Sequence, residues 1–564
     1  MTKTVELVIT GAQVLNVYTR EFEATSLWID HGRIISNLRD EPYLADQRVD
    51  ATGQWIVPGM IDAHVHMESS MVAPSELGKV LLQHGVTTIA TDPHELANVA
   101  GVAGIQYLID DARQTPLDVC FMLPSSVPCV PFDDNGATLH ATDLHPLYQQ
   151  PEVRGLAEVM DYGAVARGDV DTLAKISDAY AHGYHADGHA AGLDAHQLNV
   201  MRNAGLDTDH ECMTETEALD RVKAGMYVFL REGTVERDVL PTIGAVTEAN
   251  ASRFAFCTDD KTISDLITEG SIDANVRLAI QSGMRPELAY TLASLNGATA
   301  HRLSDRGSLV AGQLADLVVL DDIEHVRIAR TMKRGQWALP DDTKPLPFTA
   351  TRVQQHASVT DLQLPLPMGA ANVIGIQPNH IETDHLTFPV VATQNFEADC
   401  QRDVLKMVVI ERHHNTGKVG VGLVHGFGLK HGAIAGTVAH DAHNIVAVGT
   451  SDKAILRAVE QITRDNGGIA VVDDQQVLAT MPLAIGGLLS TASYQMAAKQ
   501  LAGLKQAYEV ISEQPLSFDP FITLSFLTLP VIPTLKLTAR GLFDYATFDF
   551  ITVAQSATPT VAHK

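Results

Sequence analysis

Short apolar segments alternating with helical stretches are the feature that most constrains how this chain can fold. From about residue 55 to residue 300, apolar runs of strand length recur roughly every 20 to 40 residues, and the stretches between them have helical periodicity. Eight strands alternating with helices over roughly 250 residues is the pattern of a (β/α)8 barrel. We predict the strands in WIVPGMIDAHVH, GVTTIATDPHE, VCFMLPSSV, RGLAEVMD, GYHADGH, GLDTDHE, YVFLREG and RFAFCTDD.

Both flanks of the barrel segment have β character. Residues 4–57 form short alternating runs punctuated by glycines, and residues 307–321 do so again, so the two flanks are predicted to pair. The Pro-rich stretches PDDTKPLPF and LPLPMG are typical of a linker. The sequence therefore predicts an α/β protein with a small flanking β-sandwich domain (1–57 plus 305–365), a (β/α)8 TIM-type barrel (58–304) and a C-terminal α/β domain (370–564).

Charge and cysteine usage exclude several classes of protein. The net charge is −28, with 68 acidic and 40 basic residues, so the surface repels nucleic-acid phosphates and anionic membranes. There is no apolar run of 18 residues, and the N-terminal MTKTVELVITGAQV lacks the apolar core of a signal peptide, so neither a membrane span nor a signal peptide is expected. The five cysteines are scattered along the chain and none of them forms a C-x-x-C motif, which favours a reducing, cytoplasmic location.

Ionisable residues follow seven of the eight predicted strands. In a (β/α)8 barrel the carboxyl ends of the strands surround one mouth, where active sites lie. Buried acids and histidines cost several kcal/mol each unless they are paired or bind a metal, so stability alone would not collect them there. The residues in question are His64, His66, Asp92, His94, Glu95, Glu158, His185, His189, Asp209, His210, Glu211, Arg231, Glu232, Asp259 and Asp260.

The pair His64-x-His66 indicates a metal site. Side chains two apart on a strand point the same way, so both imidazoles can reach one point, and neutral imidazole suits Zn, Fe, Mn or Ni. Histidines combined with carboxylates suit two divalent ions, roughly 3.5–4 Å apart, that lower the pKa of bound water toward about 7. A nearby carboxylate can accept the proton of that water. The inventory predicts a metal-assisted hydrolase, and neither a serine nucleophile elbow nor a nucleotide-binding glycine fingerprint competes.

Motifs along nearly the whole chain resemble a known family. They are PGMIDAHVHMESSM, TTIATDPHELANVAG, GLAEVMD, DGHAAGL, GLDTDHE, LREG, CTDDK, SLNGATAHRL, ERHHNTGKVGVG and GAIAGTVAHDAHNI. On these motifs the chain resembles the amidohydrolase superfamily and, within it, the adenine deaminase family. The resemblance implies hydrolysis of adenine to hypoxanthine and ammonia in purine salvage, by a metal-activated hydroxide that attacks C6. It also implies a homo-oligomer.

The resemblance assigns roles to individual positions. It implies a binuclear divalent centre with Mn²⁺ as the first expectation, then Fe²⁺ and, less so, Zn²⁺. Glu158 matches the carboxylate that bridges the metals, and Asp259 matches the aspartate that is both ligand and proton shuttle. The full set of implied ligands is His64, His66, Glu158, His189, His210 and Asp259.

Other roles stay open at the level of sequence. An acid must protonate N1 and the departing amine, and the candidates are Glu95, His94 and Glu211. For the substrate pocket the candidates are Glu68, Ser69, Arg231 and Asp260. Arg231 could instead form a structural ion pair, Asp92 and Asp260 could orient ligands or cap turns, and His185 is either a helper or a surface residue.

The chain departs from the family pattern at three positions. The family commonly has proline after the alanine of DGHA, and this chain has Ala191 there. The stretch after CTDDK often contains histidine in the family, whereas this chain has Thr262 and Ser271. These changes affect the substrate pocket and the rate rather than the reaction class.

Two other functions are compatible with parts of the sequence, and a C-terminal cluster of histidines has no assigned role. A cyclic-amide hydrolase of the dihydroorotase or hydantoinase type usually bridges its metals with a carboxylated lysine, where this chain has Glu158. A non-catalytic scaffold would have lost ligands, and here each position is filled. The C-terminal cluster is predicted either to bind a further metal or to form hydrogen bonds in turns; it comprises His413, His414, His425, His431, His440, Asp441 and His443.

Overall fold

The computed structural model describes residues 3–339, 342–512 and 517–555. The chain divides into two compact units. The first consists of Met1–His94, Gln106–Ser126 and Leu139–Leu346, and the second of Glu95–Ile105, Val127–Thr138 and Pro347–Lys564. Residues 340 and 341 of the predicted Pro-rich linker lie outside the described residues.

Strands from both flanks of the chain pair within the first unit. Val318 lies opposite Val57 in an antiparallel pair, and a buried apolar cluster includes Ile9, Ile29 and Val319 from two sheets. The four-stranded sheet has the order Arg33–Ser36, Leu27–Asp30, Thr4–Thr10, Leu44–Asp50. The six-stranded sheet has the order Gln336–Trp337, Arg327–Lys333, Leu317–Asp322, Trp55–Pro58, Gln13–Asn16, Glu21–Ala24.

Eight parallel strands form the centre of the first unit, and each overlaps one of the eight segments predicted from sequence, with Asp118–Leu123 and Val153–Val159 beginning one residue earlier than predicted. They are buried almost throughout, which explains why most of them are apolar runs in the sequence. Parallel bridges join Val65 to Asp259 and Ala186 to Leu206. One sheet contains Met60–Val65, Val86–Thr91, Asp118–Leu123, Val153–Val159 and His185–Gly188; the other contains Thr208–Asp209, Tyr227–Arg231 and Phe254–Cys257.

Helices follow these strands, and several of them begin at polar caps. Asp194 accepts hydrogen bonds from the backbone of Gln197 at the start of Ala195–Ala204, and Thr214 accepts one from Glu217 at the start of Glu215–Lys223. The α-helices are Pro74–Gln83, His94–Ala100, Val102–Ala112, Ala141–Leu144, Tyr162–Arg167, Val170–Ala181, Ala195–Ala204, Glu215–Lys223, Val239–Thr242, Ile263–Thr268, Ile272–Gln281, Pro286–Thr291 and Gly297–Ala300. Shorter 3₁₀ or π turns are Met67–Ser70, His145–Gln149, Ile243–Ala245, Ala251–Arg253 and Leu292–Asn296.

The second unit is built on a largely antiparallel sheet with helices. Its apolar core includes Val408, Ile445 and Ala470 from the sheet and Ile455 and Val459 from a helix. The sheet has the order Thr383–Val390, Gly369–Ile376, Val419–His425, Val404–Ile410, Ile445–Gly449, Ala433–Gly436, Gly468–Val472, Val477–Pro482, with Ala398–Asp399 beside Val404–Ile410. A second sheet contains Leu535–Thr538, Gly541–Asp544 and Asp549–Ile551, and the helices are Asp452–Arg464, Tyr494–Ser512 and Pro520–Phe526. Among the described residues, none of the helices combines the length and hydropathy that a membrane crossing requires.

A fully buried lysine makes the stability of the second unit depend on pH. The Lys536 amine donates hydrogen bonds to the carbonyls of Ile381 and Phe526, at 2.7 and 3.0 Å. Burial lowers the pKa of Lys536 to about 7, against about 10.4 in an unfolded chain. Below pH 7 the folded protein must bury a charge, whereas above that pH the folded amine is neutral while the unfolded amine still binds a proton.

We therefore expect the folded state to gain stability as the pH rises from about 7 towards 10, by up to about 1.4 kcal/mol per pH unit from this group. The measurement is the melting temperature of the wild type minus that of Lys536→Met, followed between pH 6 and pH 9.5. The difference should move in favour of the wild type as the pH rises. A difference that stays constant would mean that Lys536 does not titrate in this range.

Candidate metal centre

His64 and His66 converge at the end of the strand Met60–Val65. Their Nε2 atoms lie 3.2 Å apart, and both side chains are buried. His66 Nδ1 lies 3.3 Å from the carbonyl oxygen of Asp92, which can only accept a hydrogen bond. Nδ1 therefore carries a proton, and Nε2, which points toward His64, is the ring nitrogen that would bind a metal.

Asp259 joins this pair from the residue after the strand Phe254–Cys257. Its Oδ1 lies 3.1 Å from His66 Nε2 and 3.5 Å from His64 Nε2. The backbone has φ +56°, in the left-handed region that aspartate tolerates better than most residues. The Asp259 amide donates to the carbonyl of His64, and this bond fixes the carboxylate against the two imidazoles.

Glu158 stands between two sets of histidines. Its Oε2 lies 2.8 Å from His189 Nδ1 and 3.3 Å from His210 Nε2. Its Oε1 lies 3.4 Å from His66 Nε2 and 3.8 Å from His94 Nδ1. Each oxygen faces a different set, which is the arrangement that a carboxylate shared by two cations needs.

Opposite charges in this region stabilise one another. Burial opposes ionisation of Glu158, yet hydrogen bonds from His189 and His210 hold its pKa well below the usual range. Burial and the neighbouring His210 lower the pKa of His64 to about 4, so this imidazole is neutral at pH 7. Ionised carboxylates beside a neutral imidazole are the protonation states that metal ligands require.

Several overlapping groups of side chains could hold a metal ion. In each, the ligand atoms lie within 4.8 Å of one another and every residue is buried. Imidazole combined with carboxylate is the donor set preferred by Zn, Fe and Mn ions, so the residues fit a divalent metal. The groups are His66, Asp92, His94 and Glu158; His64, His66 and Asp259; and His64, Glu158 and His210.

The three candidate acids lie in different surroundings. His94 Nδ1 is 3.0 Å from Asp92 Oδ2, close to Glu158. Glu211 Oε1 is 3.3 Å from His210 Nε2, so it also lies beside the predicted ligands. Glu95 belongs to the second unit, and its carboxylate contacts His440 Nδ1 and His443 Nε2 there.

The residues predicted to bind substrate form hydrogen bonds or ion pairs with one another or with carboxylates. The Arg231 guanidinium donates to Glu211 at 2.5 Å, to Asp259 at 2.9 Å and to Asp238 at 2.9 Å. Arg231 thus forms ion pairs, which was the alternative to substrate contact in the sequence analysis. The Ser69 hydroxyl donates to Asp260, and Glu68 is buried in the turn Met67–Ser70.

Two family models match this chain. The model of the amidohydrolase family matches residues 55–338, and that of the adenine deaminase C-terminal domain matches residues 380–549. The chain is 90% identical to an adenine deaminase of Lactiplantibacillus plantarum over 554 residues, which are 98% of each chain. The chain belongs to the amidohydrolase family, among the adenine deaminases. Family membership implies a divalent metal.

Other proteins are similar to this chain at lower identity. An adenine deaminase of Listeria innocua is 50% identical over 97% of this chain and 96% of its own. Among solved structures, an adenosine deaminase from Xanthomonas campestris with bound zinc is 13% identical, with a TM-score of 0.45, over 60% of this chain and 93% of that one.

One of the three residues that depart from the family motifs has a structural role. Thr262 caps the helix Ile263–Thr268 by accepting a hydrogen bond from the amide of Asp265. Ser271 is buried immediately before the helix Ile272–Gln281, and Ala191 is exposed. None of the three is a member of the metal-binding groups given above.

The sequence reasoning did not single out two buried residues of the first unit. Burial, with the charges of Asp260 and Asp259, raises the pKa of Glu236 to about 8, although Arg231 opposes the rise. His301 Nε2 donates to the carbonyl of Ala63 at 2.7 Å, and its Nδ1 lies 3.0 Å from His185 Nε2. The signal for His301 was available, since it lies in the motif SLNGATAHRL.

The predicted C-terminal cluster does not form one site. His413, His414 and His425 each donate a ring N–H to a backbone carbonyl. His443 Nδ1 accepts a hydrogen bond from the amide of Ala439, so its Nε2 carries the proton and donates to Glu95. Hydrogen bonding therefore describes His413, His414 and His425, whereas His440 and His443 form, with Glu95, a buried group that could hold a metal ion.

A buried ion pair supports the segment that carries His189 and His210. Arg221 Nε donates to Asp209 Oδ2 at 2.8 Å, and its Nη2 donates to the carbonyl of Ala190. Asp209 Oδ1 accepts from the Ala190 amide at 3.0 Å. Both members of the pair are buried, with relative exposures of 1% or less.

Because Arg221→Met leaves the buried Asp209 unpaired, we expect it to lower the free energy of unfolding by about 3–5 kcal/mol. Urea unfolding followed by fluorescence measures the change. The control is Lys223→Met on the same helix, because the exposed Lys223 amine pairs with Asp220 at the surface and its loss should matter little. Equal effects of the two variants would contradict the prediction.

Proposed function

We propose that this protein hydrolyses adenine to hypoxanthine and ammonia, in purine salvage. The observation that carries the proposal is 90% identity, over 98% of the chain, to a protein named adenine deaminase. The position of Glu158, with one oxygen toward His66 and the other toward His189, adds a structural reason. A cyclic-amide hydrolase would be expected to have a carboxylated lysine at that position.

Six residues would hold a pair of divalent cations, with Mn²⁺ as our first choice and Fe²⁺ as the second. Such a pair, when bound, lowers the pKa of water and so supplies a nucleophile at neutral pH. The donor set of imidazoles and carboxylates suits these ions better than Mg²⁺ or Ca²⁺, which prefer oxygen ligands. The proposed ligands are His64, His66, Glu158, His189, His210 and Asp259.

Asp259 would hold the proton that the attacking water loses and pass it to the leaving amine. Its carboxylate touches both His64 and His66, and Arg231 orients its second oxygen. Burial opposes its ionisation, but hydrogen bonds from His64 and His66 hold the pKa of Asp259 well below the usual range, so it is an acceptor at neutral pH.

His94 is the candidate acid that the geometry favours for N1 of the purine. Its imidazole lies against the Asp92 carboxylate, a contact that stabilises a proton on the ring. Glu211 instead accepts from Arg231, and although burial opposes this, the guanidinium lowers the pKa of Glu211 to about 2. A carboxylate so acidic retains no proton to donate at neutral pH.

The site would lie in the mouth of a closed (β/α)8 barrel. The parallel bridges between Val65 and Asp259 and between Ala186 and Leu206 support closure, because they join the five-stranded and three-stranded sheets at both edges. The barrel (58–304), the flanking β-sandwich domain (1–57 plus 305–365) and the C-terminal α/β domain (370–564) remain our proposal for the domains. A cytoplasmic homo-oligomer is also proposed, with the five free cysteines consistent with a reducing location.

Ammonia release from the purified, manganese-loaded protein tests the function. Adenine, adenosine, guanine and cytosine are compared, and ring opening of the cyclic amide dihydroorotate, which releases no ammonia, is followed separately. We expect turnover of adenine alone. Hydrolysis of the cyclic amide without release of ammonia from adenine would refute the proposal.

A further inference from the structure

A cavity of about 420 Å³ lies within the second unit, and its walls carry positive charge. The volume falls in the range of small-molecule sites. Two of the ten lining residues are arginines and none is acidic, although acidic residues outnumber basic ones by 68 to 40 in the whole chain. The lining residues are Val99, Gly136, Thr349, Ala350, Thr351, Arg352, Gln354, Arg412, His413 and Asn415.

Arg412 is a buried cation whose hydrogen bonds go to neutral groups. It is 2% exposed, and its guanidinium donates to the carbonyls of His443 and Gly486. Within the described ranges, no carboxylate forms an ion pair with it. A buried charge without a counter-charge is unfavourable, and burial accordingly lowers the pKa of Arg412 to about 9.

The carboxylate of the neighbouring residue Glu411 forms its hydrogen bonds with groups other than Arg412. Glu411 Oε1 accepts from the amides of His413 and His414, and its Oε2 accepts from the amide and hydroxyl of Thr416. These bonds hold the Glu411 carboxylate in its own backbone turn. Its charge acts on Arg412 only through space, without a hydrogen bond.

Thr351 provides an independent sign of a missing partner. Its hydroxyl oxygen is buried, and across the part of the chain that the structure describes it has no hydrogen-bond partner. Buried hydroxyl groups in proteins are nearly always hydrogen-bonded. Thr351 lines the same cavity as Arg412, so a ligand placed there could satisfy both groups.

We propose that this cavity binds a small molecule through an oxyanion group, a phosphate or a carboxylate. Arg412 supplies the buried positive charge, the Thr351 hydroxyl donates a hydrogen bond, and the exposed Arg352 attracts the anion from solvent. The planar guanidinium fork suits both kinds of oxyanion, and a neutral or cationic ligand would leave Arg412 uncompensated. Nothing in the proposed deaminase reaction uses these residues.

Calorimetric titration of the full-length, manganese-loaded protein tests the proposal, with inorganic phosphate and succinate as separate probes. The probe that binds more tightly identifies the oxyanion. We expect Arg412→Met to weaken binding at least about tenfold and Thr351→Val by about 2- to 10-fold, as loss of one hydrogen bond does. Arg352→Ala should weaken binding a few-fold, whereas Arg402→Ala, an exposed arginine of the same unit, should not.

The same variants distinguish binding in the cavity from binding at the proposed metal centre. An anion that binds only at the metal centre would have the same affinity for the wild type and for Thr351→Val, Arg352→Ala and Arg412→Met. That result would overturn the proposal. Absence of binding of either probe at millimolar concentration would also overturn it. If circular dichroism shows that Arg412→Met is misfolded, the comparison of Thr351→Val and Arg352→Ala with Arg402→Ala decides.

Discussion

Glu158→Gln is expected to lose most of its bound metal and to have kcat/KM for adenine reduced by about a thousandfold or more, about 4 kcal/mol of transition-state stabilisation. The substitution keeps the shape of the side chain and removes its charge. One Glu158 oxygen faces His66 and the other faces His189 and His210, so a neutral amide would weaken ligation on both sides at once. Its NH₂ group would also face imidazole nitrogens that need an acceptor or a cation.

Metal analysis of the purified variant, together with ammonia release, measures both effects. The wild type should hold about two divalent ions per chain after loading with manganese. Glu152→Gln is the matched control, because Glu152 lies just before the same strand and pairs with Arg113. Full metal content in Glu158→Gln would show that Glu158 does not bridge the metals.

The arrangement of the strands could be predicted because buried parallel strands have a simple signature. Most of them are apolar runs, and each of the eight predicted segments overlaps a strand, even where Thr208–Asp209 has only two residues. The pairing of Val57 with Val318 was also accessible, since both flanks have β character. By contrast, no local pattern marks residues 95–105 and 127–138 as members of the second unit, because that membership depends on packing distant in sequence.

The candidate site was predictable in its composition but not in its internal pairing. Side chains at the carboxyl ends of parallel strands meet at one edge, so His64, Glu158 and His210 could be grouped from sequence. The commitment of Arg231 to three carboxylates depends on exact distances. The role of His443 depends on which ring nitrogen the Ala439 amide approaches, and no spacing rule contains that information.

Asp259→Asn is expected to lower kcat for adenine by about 10²- to 10⁴-fold, the usual contribution of a general base, and to retain part of the metal. Asparagine tolerates the left-handed backbone at φ +56° about as well as aspartate does, so the change removes charge without disturbing the chain. The amide cannot accept and release a proton near neutral pH. It can still place an oxygen toward His64 and His66, which is why metal binding should suffer less than in Glu158→Gln.

Asp403→Asn is the matched control, because Asp403 is an aspartate with φ +52° in the second unit and lies outside the proposed metal centre. Adding metal in excess separates the two functions of Asp259. If metal binding were its only role, saturating Mn²⁺ would restore wild-type turnover to Asp259→Asn, and the assignment as proton carrier would be wrong. If it also carries the proton, the metal-saturated variant stays slow, because the side chain that would receive the proton of the attacking water can no longer accept it.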